Sequence, residues 1–187
     1  MPYNPKKAAQ TVAFFAIKNG RRINTLKAVK LVYLADRASI EAYGFPIQEE
    51  RRVAMPRGPV NSTTYDYIKG EVSPNHDGGW SDVLTDREQH NVGLTDHDMA
   101  VDDLDELSDA DVAVLERVWR EFGHLTQWEL VQWTHDPDNI PEWADPDGSS
   151  RTIPLEKIMA AVGVDNVNEA VEELNSASRA ADFLRRL

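Results

Sequence analysis

The sequence predicts a mainly α protein, a single compact helical domain with a small inserted β element (α+β as a minor component). Three observations carry that expectation. Apolar residues recur at helical spacing along most of the chain, and most such stretches open on Asn, Ser or Thr and close at Gly or Pro. The segment between Pro46 and Pro59 instead holds only short apolar pairs interrupted by proline. A chain of 187 residues, 41% hydrophobic and 28% charged, has enough apolar material for one core.

The elements follow in order. Asn4 is an N-cap with Pro5 at the first helical position, and Ala8, Val12, Phe15 and Ala16 mark one face before Gly20 stops the helix. A second helix runs from Asn24 or Thr25 to Tyr43, closed by Gly44. Leu26, Val29, Tyr33, Arg37 and Ile40 line one face and Leu31, Leu34, Ala35 and Ala38 another. Apolar residues on two faces predict a helix buried mid-domain. Ile47 and Arg52–Met55 read as extended pieces entering a turn at Arg57-Gly58-Pro59. Asn61 or Ser62 caps a third helix through Lys69, ended by Gly70. Residues 80–84 and 89–94 are expected to pair as a hairpin, the β element lying after that third helix.

Ser108 with Asp111, and Thr126 with Glu129, have capping-box spacing and predict helices to Gly123 and to Asp136-Pro137. Residues 141–148 read as a loop with Trp143 docked on the core. Pro154 opens a short helix to Val162. Asn166 with Glu169 opens the last one, carrying Val167, Ala170, Val171, Leu174, Ala181 and Leu184. The domain is expected to span residues 1–150, with 151–187 a helical extension that packs on it or projects from it.

Composition excludes several functions. A net charge of −12 argues against direct nucleic-acid binding, which relies on neutralising phosphates. No apolar run approaches the roughly 20 residues of a membrane span, and the start, Met1-Pro2-Tyr3-Asn4, leads into a mixed helix instead of a leader; the expectation is a cytoplasmic protein. The absence of cysteine removes disulfides, thiolate-bound zinc and thiol catalysis. No His-Glu-x-x-His, EF-hand, Gly-x-Ser-x-Gly or phosphate-loop pattern occurs, so no catalytic residue, metal or cofactor is assigned. The acids Asp96, Asp98, Asp102, Asp103, Asp105, Glu106, Asp109 and Asp111 crowd one segment, a field that would attract a basic partner or simply keep the chain soluble.

The most informative stretch is Lys30–Gly70. It reads Lys30-Leu31-Val32-Tyr33-Leu34-Ala35-Asp36-Arg37, then Tyr43-Gly44-Phe45-Pro46-Ile47, then Val53-Ala54-Met55-Pro56-Arg57-Gly58-Pro59-Val60, then Tyr65-Asp66-Tyr67-Ile68-Lys69-Gly70. Polar groups at fixed offsets are interleaved with core residues. This pattern resembles the Panacea antitoxin domain, the family of SocA-like and phage-associated GepA-like proteins. The likeness extends over about Lys7–Trp143 and is specific in Lys30–Gly70.

The resemblance implies an antitoxin that binds a cognate protein toxin, expected to be basic and to act on translation or nucleotides. In the SocA-like branch it implies an adaptor that delivers the toxin to a protease. The family positions matched are Lys30, Leu31, Tyr33, Leu34, Ala35, Asp36, Gly44, Pro46, Ile47, Val53, Met55, Gly58, Pro59, Val60 and Tyr65; of these Lys30, Tyr33, Asp36, Met55, Gly58, Pro59 and Tyr65, with Arg37 and Arg57, form the candidate partner-binding or structural set. From the residues alone, Asp36, Arg37, Arg57 and Asp66 suggest an internal ion-pair network. An enzyme reading, a hydrolase or nucleotide-binding protein, would instead use Asp36, Arg57 and Asp66 in an open pocket. Lys30 has two readings: projection into a groove, or a stem lying along the surface with its charge in water. The clustered Trp119, Trp128, Trp133 and Trp143 are expected in the core, and any left exposed would be an interface anchor.

Overall fold

A central helix with its polar face turned inward organises this molecule. The computed structural model describes residues 3–184, so Met1, Pro2 and the last three residues of the 151–187 extension lie outside the described residues. The central helix, α2 (Thr25–Tyr43), starts where the Asn24 carboxamide accepts the Leu26 and Lys27 amides, and ends at Gly44 in the left-handed conformation. Residues 27–36, Ser39 and Ile40 are all buried, as apolar residues on two faces predict.

Around it pack α1 (Pro5–Lys18), α3 (Ser62–Lys69), α4 (Asp109–Phe122) and α5 (Gln127–His135). The expected caps form: Asn4 on α1, and reciprocal Ser108–Asp111 and Thr126–Glu129 boxes on α4 and α5. The acidic segment lies against the basic start of α1. Lys6 pairs with Asp105 at 2.9 Å and Lys7 with Asp111 at 2.9 Å, while Gln10 bridges Asp105 and the Glu106 amide. Part of the negative field is therefore neutralised internally.

Two small sheets complete the fold. In the first, β1 (Arg22–Asn24) pairs antiparallel with β4 (Asn91–Gly93). The expected hairpin between residues 80–84 and 89–94 forms in part, through an antiparallel bridge of Leu84 with Leu94, and the regular ladder joins the later segment to the chain before α2. In the second, β2 (Arg52–Met55) and β3 (Gly58–Asn61) form a hairpin, and β5 (Arg151–Ile153) adds to the other side of β2. The turn is Pro56-Arg57, one step earlier than the sequence suggests, so Gly58 and Pro59 belong to the strand. Pro59, without an N–H, is accommodated because β3 is an edge. Beyond β5, α6 (Leu155–Ala161) packs on the body and α7 (Val167–Leu184) packs on α6. The protein is mainly helical, with seven α-helices and two minor sheets among the described residues. Among those residues no helix is long and apolar enough to cross a membrane.

Candidate functional site

The charged residues of the Lys30–Gly70 stretch divide into two internal knots and one open cleft. The first knot centres on Asp36. Its carboxylate accepts from the Ile47 and Gln48 amides (3.0 and 3.3 Å), from Arg52 Nε and Nη2 (3.1 and 2.6 Å) and from Asn61 Nδ2 (2.7 Å). Arg52 also donates to the Glu50 and Gln48 carbonyls. Beside it, Glu50 accepts from the Thr64 amide at 2.8 Å and the Thr64 hydroxyl at 2.5 Å. Burial, reinforced by the Asp36 charge, pushes the Glu50 carboxyl up to about 7 against the opposing Thr64 bonds.

The second knot joins α2 to the loop after α5. Glu142, its side chain sealed from solvent, accepts from Tyr33 Oη at 2.8 Å and Arg37 Nε at 2.9 Å, and its other oxygen has no partner. Burial first, and then the Glu142 charge, hold the Tyr33 hydroxyl well above its ordinary pKa.

The expected network of Asp36, Arg37, Arg57 and Asp66 therefore does not form. Asp36 takes Arg52, Arg37 takes Glu142, Arg57 is exposed, and Asp66 lies half-buried near Arg51, Lys69 and Glu71. Of Asp36, Arg57 and Asp66, the residues a hydrolase reading would use, only Arg57 lines the cleft, while Asp36 is buried against Arg52.

That cleft, of about 690 Å³, lies between the β2–β3 hairpin, α3, the start of α5 and the loop before β4. Leu26, Val29 and Lys30 of α2 form its floor, and Met55–Gly58 of the hairpin form one wall. Tyr65, Ile68 and Lys69 line the α3 side, with Arg87, His90, Gln127 and Trp128 around the mouth. The hairpin is held from beneath. Lys30 Nζ, 0% exposed, donates to the Pro59 carbonyl at 2.9 Å. Burial alone pushes its ammonium down to about 7. Lys30 thus neither projects freely nor keeps its charge in water; it is sealed under the strand. Gly58 makes this closeness possible: its φ is 93°, and a Cβ there would stand 2.8 Å from Thr134 Oγ1 and 2.9 Å from Lys30 Nζ.

Four of the five tryptophans are buried or half-buried. Trp143 stacks on His135 with ring centroids 4.4 Å apart and donates to the Met55 carbonyl at 3.3 Å, again supporting the hairpin. Trp128 departs from the core expectation at 55% exposed, with the Arg57 guanidinium 5.8 Å over its ring.

Of the nine residues singled out from sequence, Lys30, Met55, Arg57, Gly58 and Tyr65 line the cleft, and Pro59 joins it through its carbonyl. Tyr33, Asp36 and Arg37 belong to the internal knots. Sequence reasoning missed Arg52, Glu50, Asn61 and Glu142 in the knots, and Lys69, Arg87, His90 and Trp128 at the cleft. For Arg52 a signal existed: in Arg51-Arg52 only one of two adjacent residues in an extended segment can face inward. Glu142 carried none.

The family model for "Antitoxin SocA-like, Panacea domain" matches residues 29–143. No curated protein and no solved structure matches the chain. The matched span begins in the floor of the cleft and contains both knots, the hairpin and Trp128, ending on the tryptophan that braces the hairpin. Covering more than half of the chain, it shows that this protein belongs to the SocA-like antitoxin family built on the Panacea domain.

Proposed function

We propose that this protein is the antitoxin of a toxin–antitoxin pair, that it neutralises a cognate protein toxin by direct binding, and that the hairpin–Trp128 cleft is the toxin-facing surface. The observation that carries the reading is the exposed Trp128, beneath Arg57 and beside a floor fixed by Lys30. A large aromatic side chain held at the edge of a concave, rigid surface is a typical interface anchor. The knots at Asp36 and Glu142 support this by spending the other polar residues of the motif on internal order. They leave Met55, Arg57 and Tyr65 as the members of the set that a partner can reach at the cleft.

The test is co-expression of the neighbouring open reading frame with this protein in a bacterial host. The expected result is a neighbour that arrests growth alone, is tolerated with the wild-type chain, and copurifies with it. Trp128→Ala with Arg57→Ala should restore growth arrest while the purified variant melts as the parent does. A harmless neighbour rejects the reading. Loss of the toxin protein itself, seen by immunoblot, would indicate protease delivery in place of occlusion.

A further inference from the structure

The charge of the cleft opposes that of the chain. The protein carries 32 acidic and 20 basic residues, yet the cleft lining includes Arg57, Lys69 and Arg87 and no Asp or Glu, with Lys30 sealed beneath it. Among the described residues, neither Arg57 nor Arg87 has a carboxylate within salt-bridge distance, whereas Lys69 is engaged by Glu71. The first turns of α2 and α5 also border the cleft; the N-terminus of α2, with no acid in its first turn, adds positive potential, whereas that of α5 is offset by the Glu129 carboxylate of its capping box. The leading amides of α2 are already capped by Asn24, so it contributes field more than donors.

Resting on the antitoxin reading, we infer that the cleft receives an acidic segment of the partner protein, its carboxylates on Arg57 and Arg87 and an aromatic or large apolar side chain against Trp128. The volume of about 690 Å³ accommodates a few side chains, and Leu26 and Val29 of the floor, with Ile68 on the α3 side, supply an apolar surface that a bare phosphate would not use. Guanidinium groups are suited to carboxylates because their forked donors bind them two at a time. A nucleic-acid strand fits less well, since beyond the cleft it would run over a surface of net charge −12. The consequence departs from the whole-chain expectation of a basic toxin: whatever the toxin's total charge, its contact segment is acidic.

The experiment uses the full-length protein and three fluorescein-labelled probes read by anisotropy. These are an acidic nonapeptide with one central tryptophan, its lysine-substituted counterpart, and a single-stranded oligonucleotide of nine nucleotides. The acidic peptide is expected to bind saturably, to weaken as salt rises from 50 to 300 mM, and to lose at least tenfold in affinity with Arg57→Glu plus Arg87→Glu. Trp128→Ala should weaken it as well, and Arg57→Lys plus Arg87→Lys should retain most of it. Absence of saturable acidic-peptide binding, indifference to charge reversal, or tighter binding of the oligonucleotide or the basic peptide overturns the inference. These outcomes are separable from failure of the antitoxin reading. A toxin that still binds the charge-reversed variant keeps that reading and removes this one, while a harmless neighbour removes that reading without altering the peptide result.

Discussion

Asp36 and Arg52 form a buried pair, Oδ2 to Nη2 2.6 Å, that ties the central helix to the first strand of the hairpin. Each is further bonded by backbone groups of the 47–50 segment, so both charges are paired and hydrogen-bonded where they are buried. Removing only the carboxylate leaves a guanidinium without its counter-charge in the interior. Asp36→Ala should therefore lower unfolding free energy by about 3–5 kcal/mol, measured by urea denaturation. Asp36→Leu with Arg52→Met should recover part of the loss, because deleting both charges removes their desolvation penalty while the Ile47 and Gln48 amides and Asn61 still lose their acceptor. A single variant as stable as the parent would contradict the role given to this pair.

Gly58 offers a backbone test of the same hairpin. An added methyl must tolerate φ of 93° and contacts of 2.8 and 2.9 Å with Thr134 and Lys30, the latter locked to Pro59. Gly58→Ala should cost on the order of 2 kcal/mol or more. Gly148→Ala serves as the control: it has a similar φ of 86° but open space around it, so it should cost less. Thermal melts of the two variants separate strain of the backbone from crowding. Equal losses would mean that the closeness to Lys30 is irrelevant.

How much of this was legible in the sequence depends on range. The limits of α2, the capping boxes of α4 and α5, and the mainly helical class rest on residues within a few positions of one another, and they emerge as expected. The partners of the charged residues do not, because an ion pair is chosen by tertiary packing. Arg37 and Glu142 are 105 positions apart and no local pattern links them. The β1–β4 ladder is likewise three residues paired across the length of α2 and α3, too short for a periodic signature. Trp128 illustrates the same limit on the surface. Its helix was predictable from Thr126 and Glu129, but which face meets solvent depends on where the hairpin falls.

Tyr33 and Arg37 converge on one oxygen of Glu142, and so the loop after α5 is fastened to the central helix through a single carboxylate. Tyr33→Phe removes one hydrogen bond and should cost about 1 kcal/mol. Glu142→Ala strips both donors of their acceptor and should cost about 2–3 kcal/mol, with faster hydrogen exchange at the Ile140 and Trp143 amides. The two losses should fall short of additivity in the double variant, since they break the same contact. Strict additivity would place the cost elsewhere.

Glu50 and Lys30 make stability depend on pH in opposite directions. With its carboxyl raised from 4.5 to about 7, Glu50 holds a proton in the folded state that the unfolded chain releases, so its contribution falls as pH climbs through that window. Lys30, lowered from 10.5 to about 7, is the reverse: above pH 7 the unfolded chain holds the extra proton, and stability recovers as pH rises toward 10.5. Other groups contribute to the background, His135 among them, because burial and then Lys30 hold its imidazole below 6.5. Differences between variant and parent remove that background. Relative to the parent, Glu50→Gln should gain stability between pH 5 and pH 7, by on the order of 2 kcal/mol, and change little from pH 7 to pH 9. Lys30→Met should show an advantage that is constant below pH 7 and shrinks from pH 7 to pH 10, offset throughout by the donor lost to Pro59. Urea midpoints at pH 5, 7, 9 and 10 provide the measurement. A Lys30→Met difference that stays flat across the alkaline range would show that the ammonium keeps its charge beneath the hairpin.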